Sequence, residues 1–268
     1  MEAKYKHITP RCFVNAPWYE LKNRYLDLFL QHGIQPEIGL EGLCLYEESE
    51  DEFKKIAHTL KNNRLSCTLH APFFDLAPGA LDPKILDASR NKLRKAARLI
   101  TIFQPKSMVC HLNFEENKQG YKWNEWLLAA SETWQELLGI ATEQDCILML
   151  ENTYETSPDA HETVLTKLDS ENARFCLDVG HLMSFAKTPW QNWLPILSPW
   201  LGQLHLHDNN GEKDQHLGLG LGKFDFKGLF DFLAVNNLHP LVTLEPHSED
   251  DLWHALEYLH RTKLLDQV

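Results

Sequence analysis

The chain has 268 residues, with 26 Lys and Arg against 38 Asp and Glu, a net charge of −12 and 43% apolar residues. That apolar fraction fits a globular protein rather than a disordered one, and the acidic balance disfavours simple electrostatic binding of nucleic acid, which needs clustered Lys and Arg. No apolar run reaches the roughly 18 residues of a membrane helix, and the start Met1–His7 has no apolar signal core, so a cytoplasmic protein is expected.

In chain order, the first strand is expected at 12–15. A periodic helix follows from Pro17 to Gln31 and stops at Gly33, a helix-ending glycine. The second strand is 35–40, and Ser49 with Glu52 forms a capping box for the next helix. The third strand is 66–69, and Asp82-Pro83 starts a helix that ends before Pro105. Strand four, 107–111, precedes a long helix over 124–144. Strand five, 146–151, precedes a helix opened by Ser157-Pro158. Strand six, 174–178, precedes a helix at 189–197. Strand seven, 202–207, and strand eight, 241–245, are followed by helices over 226–236 and 250–265, the last capped by Ser248.

Eight strand–helix units without a linker predict one domain over 1–268, a single (β/α)₈ barrel of the α/β class. The competing fold is a doubly wound open sheet. A dinucleotide-binding sheet needs G-x-G-x-x-G after its first strand, where this chain reads Asn15-Ala-Pro-Trp. The run Gly218-Leu-Gly-Leu-Gly222 follows the seventh strand with the wrong spacing. The six cysteines form no C-x-x-C pair, so buried reduced thiols are expected. Trp190, Trp193 and Trp200 either face a partner subunit or pack under helices, and oligomeric state stays open.

The chemistry lies where strands end. Strands three to six close on His70, His111, Glu151 and Asp178, with His181 three residues on. Strand seven carries His205, strand eight closes on Glu245, and the loop between them holds Asp214-Gln-His216. Singly, a strand-end His is normally a hydrogen-bonded residue and a carboxylate caps the next helix. Jointly, barrel strand ends converge on one mouth. Four carboxylates gathered there need cations. Five histidines and four carboxylates suit Zn²⁺ or Mn²⁺. Nine donors exceed one coordination shell, so one to three divalent ions are expected.

At these motifs the sequence resembles the xylose isomerase-like TIM-barrel superfamily, which includes endonuclease IV and sugar or sugar-phosphate isomerases and epimerases. The motifs are Leu69-His70-Ala-Pro72, His111, Leu150-Glu151-Asn152, Asp178-Val-Gly-His181, His205-Leu-His-Asp208, Asp214-Gln-His216 and Glu245. The resemblance implies three ions in the endonuclease pattern: one on His70, His111 and Glu151; one among Glu151, Asp178, His205 and Glu245; one on His181, Asp214 and His216. In the epimerase pattern it implies one ion on Glu151, Asp178, His205 and Glu245, with the two glutamates as acid and base and His181 on a substrate hydroxyl.

The acidic chain favours a sugar or sugar-phosphate isomerase or epimerase acting on a small molecule. Trp18, in the loop after the first strand, is a candidate for stacking on a sugar or else a core residue. His207 and His247 share strand faces with His205 and Glu245, as substrate contacts or as supporting hydrogen-bonded groups. The alternative is a metal-dependent phosphodiesterase like endonuclease IV. Against DNA, the loop after His70 (Ala-Pro-Phe-Phe-Asp-Leu-Ala-Pro-Gly) has no Arg or Lys. A metal-binding protein without catalysis is the third class.

Overall fold

Eight parallel strands close on themselves in the computed structural model, which describes residues 4–40 and 43–268. Met1–Ala3, part of the charged start, and Glu41 and Gly42 lie outside the described residues. The strands are β1 (Phe13–Pro17), β2 (Gln35–Gly39), β3 (Thr68–His70), β4 (Ser107–His111), β5 (Ile147–Glu151), β6 (Ala173–Asp178), β7 (Leu201–Leu206) and β8 (Leu241–Leu244). Each pairs in parallel with the next, and β8 pairs back onto β1 through Phe13–Thr243 and Val14–Leu244. The open-sheet alternative is excluded by this closure.

Among the described residues seven longer helices surround the barrel: α1 (Leu26–His32), α2 (Glu50–Asn62), α3 (Pro83–Arg98), α4 (Trp123–Thr142), α5 (Asp159–Leu168), α6 (Phe226–Val235) and α7 (Glu249–Thr262). Their ends follow local chemistry. Ser49 accepts from the Glu52 amide, Asp82 from those of Lys84 and Ile85, and Ser248 from that of Asp251, satisfying first-turn donors that have no helical partner. Gly33 ends α1 at φ +64°. The expected helix at 189–197 is instead a 3₁₀ turn, Trp190–Asn192, and one helical turn, Leu194–Leu197. Pro195 has no amide to bond back to residue 191, so a continuous helix cannot form through it.

The main core lies between helices and sheet, where Trp126, Trp134 and Trp193 are fully buried. Trp190 is buried too, and Trp200 packs against the same cluster, so helix packing accounts for all three tryptophans of the β6–β7 connection. All six cysteines are buried thiols outside any disulfide, and burial pushes those of Cys12 and Cys67 up to about 12. Among the described residues no helix is long and apolar enough to cross a membrane.

His161 on α5 is enclosed against Phe175 and Trp193, at ring-centroid distances of 5.1 and 6.1 Å. Burial pushes it down to about 4, below the ~6.5 of an unfolded chain. The unfolded state therefore binds the proton first, and stability falls as pH drops from 6.5 toward 4. His161→Phe is expected to remove ~2 kcal/mol of the stability lost between pH 7 and pH 5, read from urea midpoints at the two pH values.

Candidate metal centre

Successive side chains on a strand alternate between faces, and the last inward-facing residue of each strand meets the mouth of the barrel. β3, β4, β5 and β6 end on His70, His111, Glu151 and Asp178; β7 carries His205, and Glu245 follows β8. His181 sits on the turn after β6, its amide donating to Asp178 Oδ1 at 2.7 Å. Asp214 and His216 lie in the β7–α6 loop. All nine expected donors thus reach one place. Seven line a cavity of about 550 Å³, while Asp178 and His205 lie beneath it, fully buried.

The spacings are short. His70 Nε2 and His111 Nε2 lie 3.1 and 3.3 Å from Glu151 Oε2. His205 Nδ1 is 3.5 Å from the same oxygen and 3.1 Å from Glu245 Oε1. His181 Nε2 is 3.5 Å and His216 Nε2 3.0 Å from Asp214 Oδ2. Among the described residues five groups bring their donor atoms within 4.8 Å of one another, among them His70, His111 and Glu151; Glu151, Asp178 and His205; and, sharing no residue with those two, His181, His207, Asp214 and His216.

The histidines are aimed. His70 and His181 hold Nδ1 on the carbonyls of Ala71 and Asn152, both at 2.9 Å. His216 holds Nδ1 on the Glu245 carbonyl at 2.9 Å. Each thereby presents Nε2 to the cluster. His205 is turned the other way: Glu37 Oε1 takes Nε2 at 3.1 Å, leaving Nδ1 inward. Fixing one ring nitrogen so that the other is free is how proteins orient metal-binding histidines. Among the described residues, four buried atoms of this cluster find no hydrogen-bond partner, namely Glu151 Oε1, His205 Nδ1, His207 Nδ1 and Asp214 Oδ1. Nitrogen and carboxylate oxygen donors, convergent, oriented and partly unsatisfied, fit first-row divalent ions.

Without an ion the charges balance internally. Burial pushes the Glu151 carboxyl up, but His111 and His205 outweigh it and hold it well below the usual range. Asp178 is opposed by burial yet brought to about 2 by His181 and His207. Burial raises Glu245.

Two devices build the loop that carries Asp214 and His216. Asp208 is fully buried and accepts from the amides of Gly220, Gly222 and Phe224 at 3.0, 2.9 and 3.1 Å. The glycine run is therefore a loop folded onto one carboxylate. A Cβ on Gly222 would lie 2.3 Å from the Asn209 carbonyl oxygen, so only glycine fits. His216 itself is held at φ +50°, a region that non-glycine residues adopt at some cost. In Asp178-Val-Gly-His181, a Cβ on Gly180 would lie 1.9 Å from His207 Cε1. Gly180→Ala is expected to displace that ring from Asp178 and destabilise the fold by about 1–3 kcal/mol, measured by chemical denaturation.

The expected substrate contacts divide. His181 and His247 line the cavity. Trp18 does not: it is 1% exposed, packs on Phe53 at 4.3 Å and donates its indole N–H to Glu48. The chain turns into a helix directly after Pro17, which swings the ring into the core. His207 is 1% exposed and does not reach the cavity wall; its Nε2 lies 3.2 Å from both Asp178 oxygens, and its ring stacks under His216 at 3.7 Å. It supports the cluster from below.

Two acidic residues were not anticipated. Glu37, inside β2 and fully buried, accepts from Thr68, Gln203, Thr243 and Asn15 as well as contacting His205. Glu155 accepts from the amides of Phe114 and Thr153 at 2.8 and 2.7 Å, tying the loop after β4 to the loop after β5. The cavity also has walls no strand pattern foretold: Phe73 and Phe74 after β3, Tyr154 after β5 and Phe185 after β6.

Known proteins share this barrel. The uncharacterized protein MJ1614 of Methanocaldococcus jannaschii is 29% identical over 194 residues, covering 70% of this chain and 74% of its own. A D-tagatose 3-epimerase-like protein superposes with a TM-score of 0.81 at 20% identity, covering 95% of this chain and 97% of that one. The TTHB071 protein of Thermus thermophilus, soaked with ZnCl₂, has a TM-score of 0.78 at 23% identity, with 96% and 99% covered. The 3-keto-D-glucoside 4-epimerase YcjR of E. coli has a TM-score of 0.70 at 15% identity, with 94% and 99% covered. At these identities the solved structures share the fold. A sequence model of the family described as xylose isomerase-like TIM barrel matches residues 35–263, and this chain belongs to that family.

Proposed function

We propose that the protein is a divalent-metal-dependent isomerase or epimerase of sugars or sugar phosphates. The observation that carries this is the convergence of Glu151 and Glu245, from strands three places apart round the barrel, on one atom, His205 Nδ1, at 3.5 and 3.1 Å. Both carboxylates line the cavity. Glu151, Asp178, His205 and Glu245 would hold a Zn²⁺ or Mn²⁺ ion, which when bound supplies Lewis acidity to a carbonyl and the hydroxyl beside it. One glutamate removes the proton from the carbon between those groups, and the other returns a proton to the opposite face. His181 meets a substrate hydroxyl, and His247 closes the β8 side of the cavity. Epimerases among the proteins of like fold support this reading.

A second reading rests on the separate group His181, His207, Asp214 and His216. Together with His70, His111 and Glu151 it provides for two or three ions, the arrangement that suits a phosphodiesterase. Incubation of metal-loaded protein with ketoses in deuterated water separates the two. Deuterium entering carbon is the expected result; cleavage of a phosphodiester such as an abasic-site oligonucleotide, with no deuterium uptake, overturns the isomerase reading.

A further inference from the structure

The wall of the cavity over β3 to β6 is an unbroken arc of rings. Phe74 lies on Phe73 at 4.5 Å, Phe73 stacks on His111 at 4.5 Å and 16°, and His111 meets His181 at 5.8 Å. His181 then meets Phe185 at 5.4 Å and Phe185 meets Tyr154 at 5.1 Å. The two inner members are candidate metal ligands, and the aromatic pairs extend the arc outward from them. Phe74, Tyr154 and Phe185 are 63%, 46% and 37% exposed, so packing of the fold does not account for them. Exposed aromatic surface continuous with a polar floor is the mark of a ligand wall.

Size and charge narrow the ligand. A volume of about 550 Å³ sits mid-range for sites that enclose drug-sized molecules, roughly 300–1,000 Å³. A free ketose chelated at the floor leaves the aromatic part of this space unused. Around the same cavity Arg24 is the single Lys or Arg among the described lining residues, and its guanidinium lies 3.5 Å from Glu20. Glu20 and Glu249 add negative charge at the mouth. A phosphate placed there would find no forked Arg or paired Lys to receive it.

We propose that the substrate is an unphosphorylated, glycosylated ketose: its ketose unit lies over the His and carboxylate floor, and a second ring, joined through a hydroxyl away from the carbonyl, rests on the arc formed by Phe73, Phe74, Tyr154 and Phe185. This rests on the sugar isomerase or epimerase reading and specifies its substrate. The flat face of an aryl group, or the C–H face of a second sugar, stacks on such rings. The lack of paired cations selects against a phosphoryl group in the same position.

Calorimetric titration of the Mn²⁺-loaded protein with phenyl β-D-glucoside, methyl β-D-glucoside and methyl β-D-glucoside 6-phosphate, none of which has a carbonyl to turn over, tests the second-ring and phosphate preferences by binding alone. Phenyl glucoside is expected to bind about tenfold tighter than methyl glucoside, the size of one aromatic stacking contact, and methyl glucoside 6-phosphate no tighter than methyl glucoside. Phe74→Ala combined with Tyr154→Ala, both at exposed positions, is expected to abolish most of the phenyl preference while metal content stays that of the wild type. Equal binding of the two glucosides, or tightest binding of the phosphate, overturns the glycoside inference and leaves the isomerase reading intact. Failure of that reading shows separately, as absence of deuterium uptake with every sugar.

Discussion

Glu245→Gln is expected to lower kcat by about 10³-fold, within the ~10²–10⁴ range of a positioned general acid or base. The amide keeps the volume and one oxygen, so the contact near His205, 3.1 Å from the native carboxylate, survives in shape. What is lost is the ability to take or give a proton. Glu151→Gln is expected to fall by a similar factor, and the double variant by little more than either single one. Residues that act in one proton relay are non-additive in this way. Deuterium exchange separates the pair: the variant that blocks uptake altogether identifies the base, and the variant that still exchanges but does not epimerise identifies the acid. Both residues are also candidate ligands, so metal content is measured on each variant. A loss under tenfold with full metal content would remove Glu245 from the chemistry.

The barrel and the mouth of the barrel were legible for one reason. Strand after strand runs apolar and closes on a polar side chain, and a parallel barrel gathers those ends. Ser107–His111 is a strand in pattern and in structure. The same rule hid Glu37. It sits mid-strand in Gln35–Gly39, where a lone acid looks like an outward-facing residue. Its partners Thr68, Gln203 and Thr243 come from three other strands, and only closure brings them together. Periodicity places His207 on the right face but says nothing of depth, so it leaves open whether the residue is a substrate contact or a supporting group, and only the structure puts it beneath His216. Of the two readings of Trp18, the core residue holds and the sugar-stacking one does not, because position after a strand does not fix direction: the helix starting at Trp18 carries the ring into the core. The aromatic arc comes from loops, which have no period to read.

Chelation of divalent ions is expected to lower Tm by about 10 °C at neutral pH, with recovery when Mn²⁺ or Zn²⁺ is restored. An ion that binds only the native state at a thousandfold excess over its Kd stabilises by ~4 kcal/mol, and a chain of this size shifts by roughly 2–4 °C per kcal/mol. The pH dependence follows from what replaces the ion. In its absence, burial works against protonation of His70 and His216, but Glu151 and Asp214 outweigh it and raise both to about 9. A raised histidine contributes stability that is fully present below the unfolded value of ~6.5 and is lost as pH rises through about 9. The metal-free protein therefore weakens between pH 6.5 and 9, as the imidazoles give up the protons that neutralise the carboxylates. Metal binding needs those same nitrogens unprotonated, so it strengthens across the same window. The difference in Tm between loaded and chelated protein should accordingly widen from pH 6.5 to pH 9. Scanning calorimetry at the two pH values reads it directly, and a gap that is constant or narrows with pH would mean that the nine residues are held together by their own hydrogen bonds rather than built around cations.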